Sequence, residues 1–273
     1  MGAWVMAGVT FREAARKKLL LMAVLAALAF LALYSTALHF QVKDVHGSAL
    51  IRQEAARAFI MMGLYAVDIL AVVLTALTSV DTLSGEMASG TIQAVATKPV
   101  SRRQILLGKW LGFVGMMTVY VALMVGGVVA VSYWISGLTP RHLMFGASLI
   151  WLECVLLLNL VLFLGTTFST LTNGVLALGL HGLAFLGGWI EQVGAILHST
   201  RAVTVGIVAS IVMPSESLWR RAAFEMQSPL VGALNISPFS NASVPSRWMI
   251  GYASAYLLAF LALAVRRFGR RDL

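Results

Sequence analysis

Six times in this chain the sequence runs for roughly twenty residues with almost no charge: 19–38, 59–80, 110–135, 143–168, 174–197 and 248–265. An apolar run of about 18 residues or more is long enough to carry a helix across a hydrocarbon core about 30 Å thick. Backbone N–H and C=O groups have no water to bond there, so each run must satisfy them internally as a helix. The expected fold is therefore all-α, a polytopic membrane protein with six transmembrane helices. Composition agrees, with 59% of residues hydrophobic and 11% charged, where a soluble domain carries about 25% charged residues. A single water-soluble core is excluded. Cys154 is the only cysteine and lies inside an apolar run, so no internal disulfide or cysteine zinc site can form. The start has no small-residue cleavage pattern, and no cleaved signal is expected.

Six spans put both ends on one side, and the positive charges select it. Twelve of the 20 Lys and Arg fall on the side of the termini, and half of the other eight lie between 198 and 247, ahead of the last span. Short loops enriched in Lys and Arg stay in the cytosol. Both termini are thus expected there, with 198–246 outside. The net charge of +9 sits at span ends, which suits orientation and anionic membrane lipid and not nucleic acid. Residues 1–18 read as a cytosolic interfacial helix, opened by a Thr10-x-x-Glu13 capping box, or as an amphipathic extension of the first span. Residues 19–273 form the permeating domain. Val203 to Met213 is too short to cross. It is expected to dip into the outer leaflet or cap the bundle until Pro214 breaks it.

Between the second and third spans lies a polar elbow: Ser84-Gly85-Glu86-Met87-Ala88-Ser89-Gly90-Thr91, then Lys98-Pro99-Val100-Ser101-Arg102-Arg103, then Gly108-Lys109. Pro99 stops a helix near Thr97. Ser101-x-x-Gln104 is a capping box that starts the third span. Between Gly90 and Pro99 there is room for about two helical turns, with Ile92, Val95 and Ala96 on its apolar face. The pattern fits a short helix pressed on a partner, or a plain surface loop.

Glu86-x-x-x-Gly90-Thr91, Pro99-Val100-Ser101-Arg102 and Gly108-Lys109 resemble the loop between spans two and three of ABC exporter permeases of the second class. That class includes drug, antibiotic and polysaccharide exporters and the permeases of nitrous-oxide-reductase maturation. The Arg-rich stretches near both termini, and Pro214-Ser215-Glu216-Ser217-Leu218-Trp219-Arg220, are also similar. The resemblance implies a homodimeric permease in a bacterial inner membrane, with a short helix between spans two and three that couples it to a separate ABC ATPase subunit. It marks Glu86, Gly90, Thr91, Ile92, Pro99 and Arg102 as the docking residues. ATP and Mg would be bound by that ATPase, leaving no cofactor in this chain. The sequence agrees with that division of labour. Gly108-Lys109 is followed by Trp110 and lacks the phosphate-cradling pattern, and no catalytic constellation is evident.

Ionisable groups inside the spans are the remaining clues, because a charge near the bilayer centre costs several kcal/mol unless paired or hydrated. Asp68 shares a helical face with Ala71, Thr75 and Thr78. His181 shares one with Ala177, Ala184, Gly188 and Glu191. Small residues let helices approach closely. Both should face the interior, and the two are expected to be near enough to meet. They mark a polar point on a translocation path or a structural pair. Asn159 is a third path candidate, or an interhelical hydrogen bond. Glu153 and Glu191 read as structural groups nearer the outer ends. His39, His46, His142 and His198 all map outside, with no metal-binding spacing. Two other functions stay open: a membrane subunit of an ABC-driven maturation system acting on a periplasmic partner, and an ion-coupled secondary transporter. The apolar stripes do not name a substrate.

Overall fold

The computed structural model describes residues 2–16, 18–45, 48–88, 101–228 and 243–270. Ten helices make up nearly all of these residues, and none of the described residues is in a strand. They are α1 (Gly2–Arg16), α2 (Lys18–Asp44), α3 (Ala49–Ser79), α4 (Asp81–Ala88) and α5 (Arg102–Ser136). Then follow α6 (Leu143–Gly165), α7 (Thr170–Ile196), α8 (Thr200–Val212), α9 (Ser215–Met226) and α10 (Trp248–Arg270). The six expected spans are present in order, as α2, α3, α5, α6, α7 and α10. Several run past the apolar stretches that announced them. Apolarity marks only the part facing hydrocarbon, whereas a helix ends where its caps are. Ser48 caps α3 by accepting from the Ile51 amide. The expected Ser101–Gln104 box closes on both sides at the start of α5, and Gly137, with φ of 68°, ends that helix in the left-handed region glycine tolerates.

α6 is the central element. Its apolar window is 72% buried, against 6% for α2, and it touches α3, α5, α7, α9 and α10. An apolar helix as uncovered as α2 belongs in lipid or against a second chain. Tyr34 ties it to the bundle, hydrogen-bonded through its hydroxyl to Ser132 of α5 at 2.7 Å.

Three expectations change here. Thr10 does not start a helix. α1 begins at Gly2, and Thr10 is buried mid-helix against α5. The reason is packing: at Gly112 an added Cβ would come 3.0 Å from the Ala7 carbonyl oxygen, so the two helices nearly touch backbone to backbone. Ser169 to Asn173, whose sequence reads as a tight turn into the fifth span, is instead part of that helix; Ser169 caps α7, and the rest is its first turn. The stretch after Pro214, expected only as part of a polar segment outside the bundle, is the helix α9, with Ser215–Ala223 buried throughout. The helix expected between Gly90 and Pro99 lies outside the described residues, as do Gly90, Thr91, Ile92 and Pro99 themselves.

α8 and α9 form a helical hairpin, bent by 109° at Met213-Pro214. α8 runs back along α7, close enough that a Cβ on Gly206 would sit 2.6 Å from the Gly187 carbonyl oxygen. The hairpin tip is held by α10, whose Tyr252 hydroxyl donates to the Ile211 carbonyl at 2.6 Å and Tyr256 to that of Val212 at 3.1 Å. These carbonyls end α8 without helical partners, and the tyrosines satisfy them inside the bundle.

Candidate functional site

Asp68, Glu153 and His181 each lie roughly 11–12 residues from the end of their helix on the side where α1 packs. At about 1.5 Å per residue that is about 17 Å, half a hydrocarbon core. Two parallel helices, α3 and α6, and the oppositely directed α7 thus deliver three ionisable groups to one level. The Asp68 and Glu153 carboxyls are near enough to interact electrostatically. Glu153 has no exposed surface, and no described donor bonds either of its oxygens. His181 does not meet Asp68 as expected. Its Nδ1 is 3.1 Å from the Ser215 hydroxyl and 3.9 Å from Glu153 Oε1. The cause is the hairpin, whose tip places Ser215 beside the α7 face that carries His181. Glu153 is not near an outer end in any useful sense, because α6 carries it inside the bundle where snorkelling has nowhere to go. The predicted faces are otherwise in place: Ala71, Thr75 and Thr78 are buried with Asp68, and Ala177, Ala184 and Gly188 turn inward on α7.

Glu216 adds another carboxyl. Its carboxyl carbon lies 3.4 Å from where a side chain on Gly188 would start. One turn on, Arg220 donates to Glu191 at 2.8 Å and to Ser210 at 3.3 Å. Ser243 donates to the other Glu191 oxygen at 2.6 Å. This ion pair is buried, with Arg220 only 3% exposed. The sequence reading counts Arg220 and Arg221 among the charges of the outer polar segment, not as buried groups. Their signal was present: Glu216 precedes Arg220 and Arg221 precedes Glu225 at the i,i+4 spacing of a helix. At the C-terminal end of α9, Glu225 pairs with Arg221 and lies 3.2 Å from His142 and 3.9 Å from Arg247. Partial burial pushes the Glu225 carboxyl up. The hydrogen bonds from Arg221 and His142, with the charges of Arg221 and Arg247, outweigh it and bring the group below its ordinary value.

Asn159 makes the expected interhelical bonds. Trp110 of α5 donates to its oxygen at 2.6 Å, and its amide donates to the Leu257 carbonyl of α10 at 2.9 Å. With both ends engaged, it fastens three helices.

At the α1 end, α3 passes into α4 with hardly a break. Val80 keeps helical dihedrals, and its amide bonds the Ala76 carbonyl. Glu86 lies on α4, and Arg102 opens α5 half-buried. α4 is fastened to the first turn of α7. Ser84 and Thr170 hydroxyls are 2.9 Å apart, Thr170 donates to Asp81 at 3.3 Å, and the Asn173 amide donates to the Val80 carbonyl at 3.2 Å.

A polar layer halfway through a bundle of apolar helices, joined by one helix to a polar elbow, is the build of a transporter's membrane domain. The family profile of ABC-2 family transporter proteins matches residues 10–273. This chain belongs to the ABC-2 transporter family. It is a multi-pass membrane permease of an ABC transporter. No curated protein matches the permease chain closely enough to serve as a relative.

Proposed function

We propose that this permease is the membrane subunit of an ABC exporter in a bacterial inner membrane. It works as a pair of identical chains around a shared path, with the α1 end in the cytosol. A separate ATPase binds ATP and Mg and docks on the elbow through Glu86, Gly90, Thr91, Ile92, Pro99 and Arg102. ATP-driven closure of the ATPase pushes that elbow, and the push tilts the spans so that the path opens outward. For this to work, the ATPase must hold two permease conformations with different affinity.

The observation that carries the reading is the rod formed by α3 and α4. It holds Asp68 at mid-membrane and Glu86 at the elbow, and it is hydrogen-bonded to α7, which carries His181. A displacement at the elbow is therefore delivered to both sides of the polar layer. Asp68 and His181 line the path in this reading, and Asn159 holds it in register.

The test is co-purification with the partner ABC ATPase. Glu86→Lys and Gly90→Pro should cut association and transport while the variants still insert in the membrane. Normal association in both would remove the docking assignment. The buried carboxyls favour one second reading, ion-coupled transport. Transport that survives a protonophore but stops when the ATPase is depleted would rule that reading out.

A further inference from the structure

The last turns of α10 carry Arg266, Arg267 and Arg270, and Arg103 of α5 reaches the same place beside Gly269. Among the described residues none of these four arginines forms an ion pair with a carboxylate. Arg267 lies over the Phe163 ring at 6.0 Å. Two grooves open here, one on each side of α10, of about 680 and about 740 Å³, and Arg266 and Arg270 line both. The larger groove leaves the arginines and climbs α10 through Val265 and Leu261 to Leu258. That is roughly 12 residues from Arg270, or about 18 Å at about 1.5 Å per residue.

We infer that this is a binding site for an anionic phospholipid. Its phosphate sits between Arg266 and Arg270, and an acyl chain lies in the groove up to Leu258. Two facts select a lipid over an acidic protein loop. The arginines stand at a span end, where headgroups lie, and basic pockets between spans on that side hold anionic headgroups. The groove then continues as bare Leu, Ala and Val well into the hydrocarbon layer, where an acyl chain fits and a charged loop has no partner. A planar guanidinium matches phosphate oxygens in pairs, which lysine does less well. The inference rests on the orientation proposed above, with the α1 end in the cytosol. It stands or falls apart from the ATPase docking proposed above.

The experiment uses the purified full chain in mixed micelles containing phosphatidylglycerol or phosphatidylcholine of identical acyl chains. Native mass spectrometry should show phosphatidylglycerol retained and phosphatidylcholine lost. Each arginine near a headgroup is worth roughly a factor of five, so the R266Q/R270Q double variant should bind about 25-fold more weakly. Arg12→Gln, on α1, should leave binding unchanged. Inorganic phosphate at millimolar levels should not compete; full competition would identify a free-anion site and overturn the lipid assignment. A photoactivatable phosphatidylglycerol, used on the unaltered chain, should crosslink between Leu258 and Val265, which keeps the test valid if the double variant misfolds. Crosslinks only elsewhere, or equal retention of the two lipids, would refute the inference.

Discussion

The hydroxyls of Ser84 and Thr170 stand 2.9 Å apart, although 86 positions separate them in the chain. They join the elbow that follows α3 to the first turn of α7. With Asp81, Asn173 and the Val80 carbonyl they form a small clamp. Gly165, at the end of α6, packs on its rim, near Asn173 and Leu83. Three spans thus converge where the proposed partner would push.

The clamp should be measurable as a coupling energy. A double-mutant cycle of Ser84→Ala and Thr170→Val, read by denaturation in detergent, should give a coupling of about 0.5–1.5 kcal/mol. The double variant should also lower the permease-dependent activity of the ATPase. Strictly additive effects would mean that the two hydroxyls do not meet in the folded protein.

Arg220 and Glu191 predict an asymmetry. Arg220→Met alone leaves a buried carboxylate without its cation and should cost about 3–5 kcal/mol. Pairing it with Glu191→Leu should recover most of that loss, because a well-packed apolar pair is often as stable as a buried ion pair. Thermal melting of the two variants would decide; equal destabilisation by both would contradict the ion pair.

Gly206→Val should detach α8 from α7. The added side chain would drive into the Gly187 carbonyl and the Glu191 side chain. Backbone cannot give way as a flexible side chain can, so the hairpin must separate. A protease site introduced at Ser199 should become cleavable in this variant and stay resistant in the parent. Resistance in both would show that the contact is looser than described.

Glu225 gives a pH dependence. Its folded value lies below its unfolded one, so its contribution is complete above the ordinary carboxylate range. It is lost as pH falls through the lowered value. At pH 7, Glu225→Gln should lower the melting temperature by about 2–8 °C, taking about 1–2 kcal/mol for charge-assisted bonds to a partly exposed group. At pH 3 the two proteins should melt nearly together. A difference that persisted at pH 3 would point to lost packing instead of lost charge.

His181 and Asp68 can be tested as path residues by a reactivity change. In a Cys154→Ala background, His181→Cys should react with a small alkylating reagent at rates that differ between nucleotide-bound and nucleotide-free complexes. A control cysteine at Leu157, buried in α6, should be slow in both. Identical rates at position 181 in the two complexes would assign it to the static bundle.

The six spans, their order, the helix start at Ser101 and the helix break at Pro214 were legible in the sequence because each rests on local physics. A bilayer requires about twenty apolar residues, a capping box needs two side chains three apart, and proline lacks its hydrogen. The inward faces of α3 and α7 were legible too, from the three-to-four spacing of small residues. Which groups then face one another was not, because helices apolar all round carry no record of their neighbours. The tertiary structure turned Glu153 from an outer, structural group into the partner of Asp68. It gave His181 to Ser215, and it buried a charged α9 that read as part of a polar outer segment. Those choices depend on where a helical hairpin folds back. That was decided by glycines on α7 and α8 lying close enough for two backbones to touch, a condition no single stretch of chain contains.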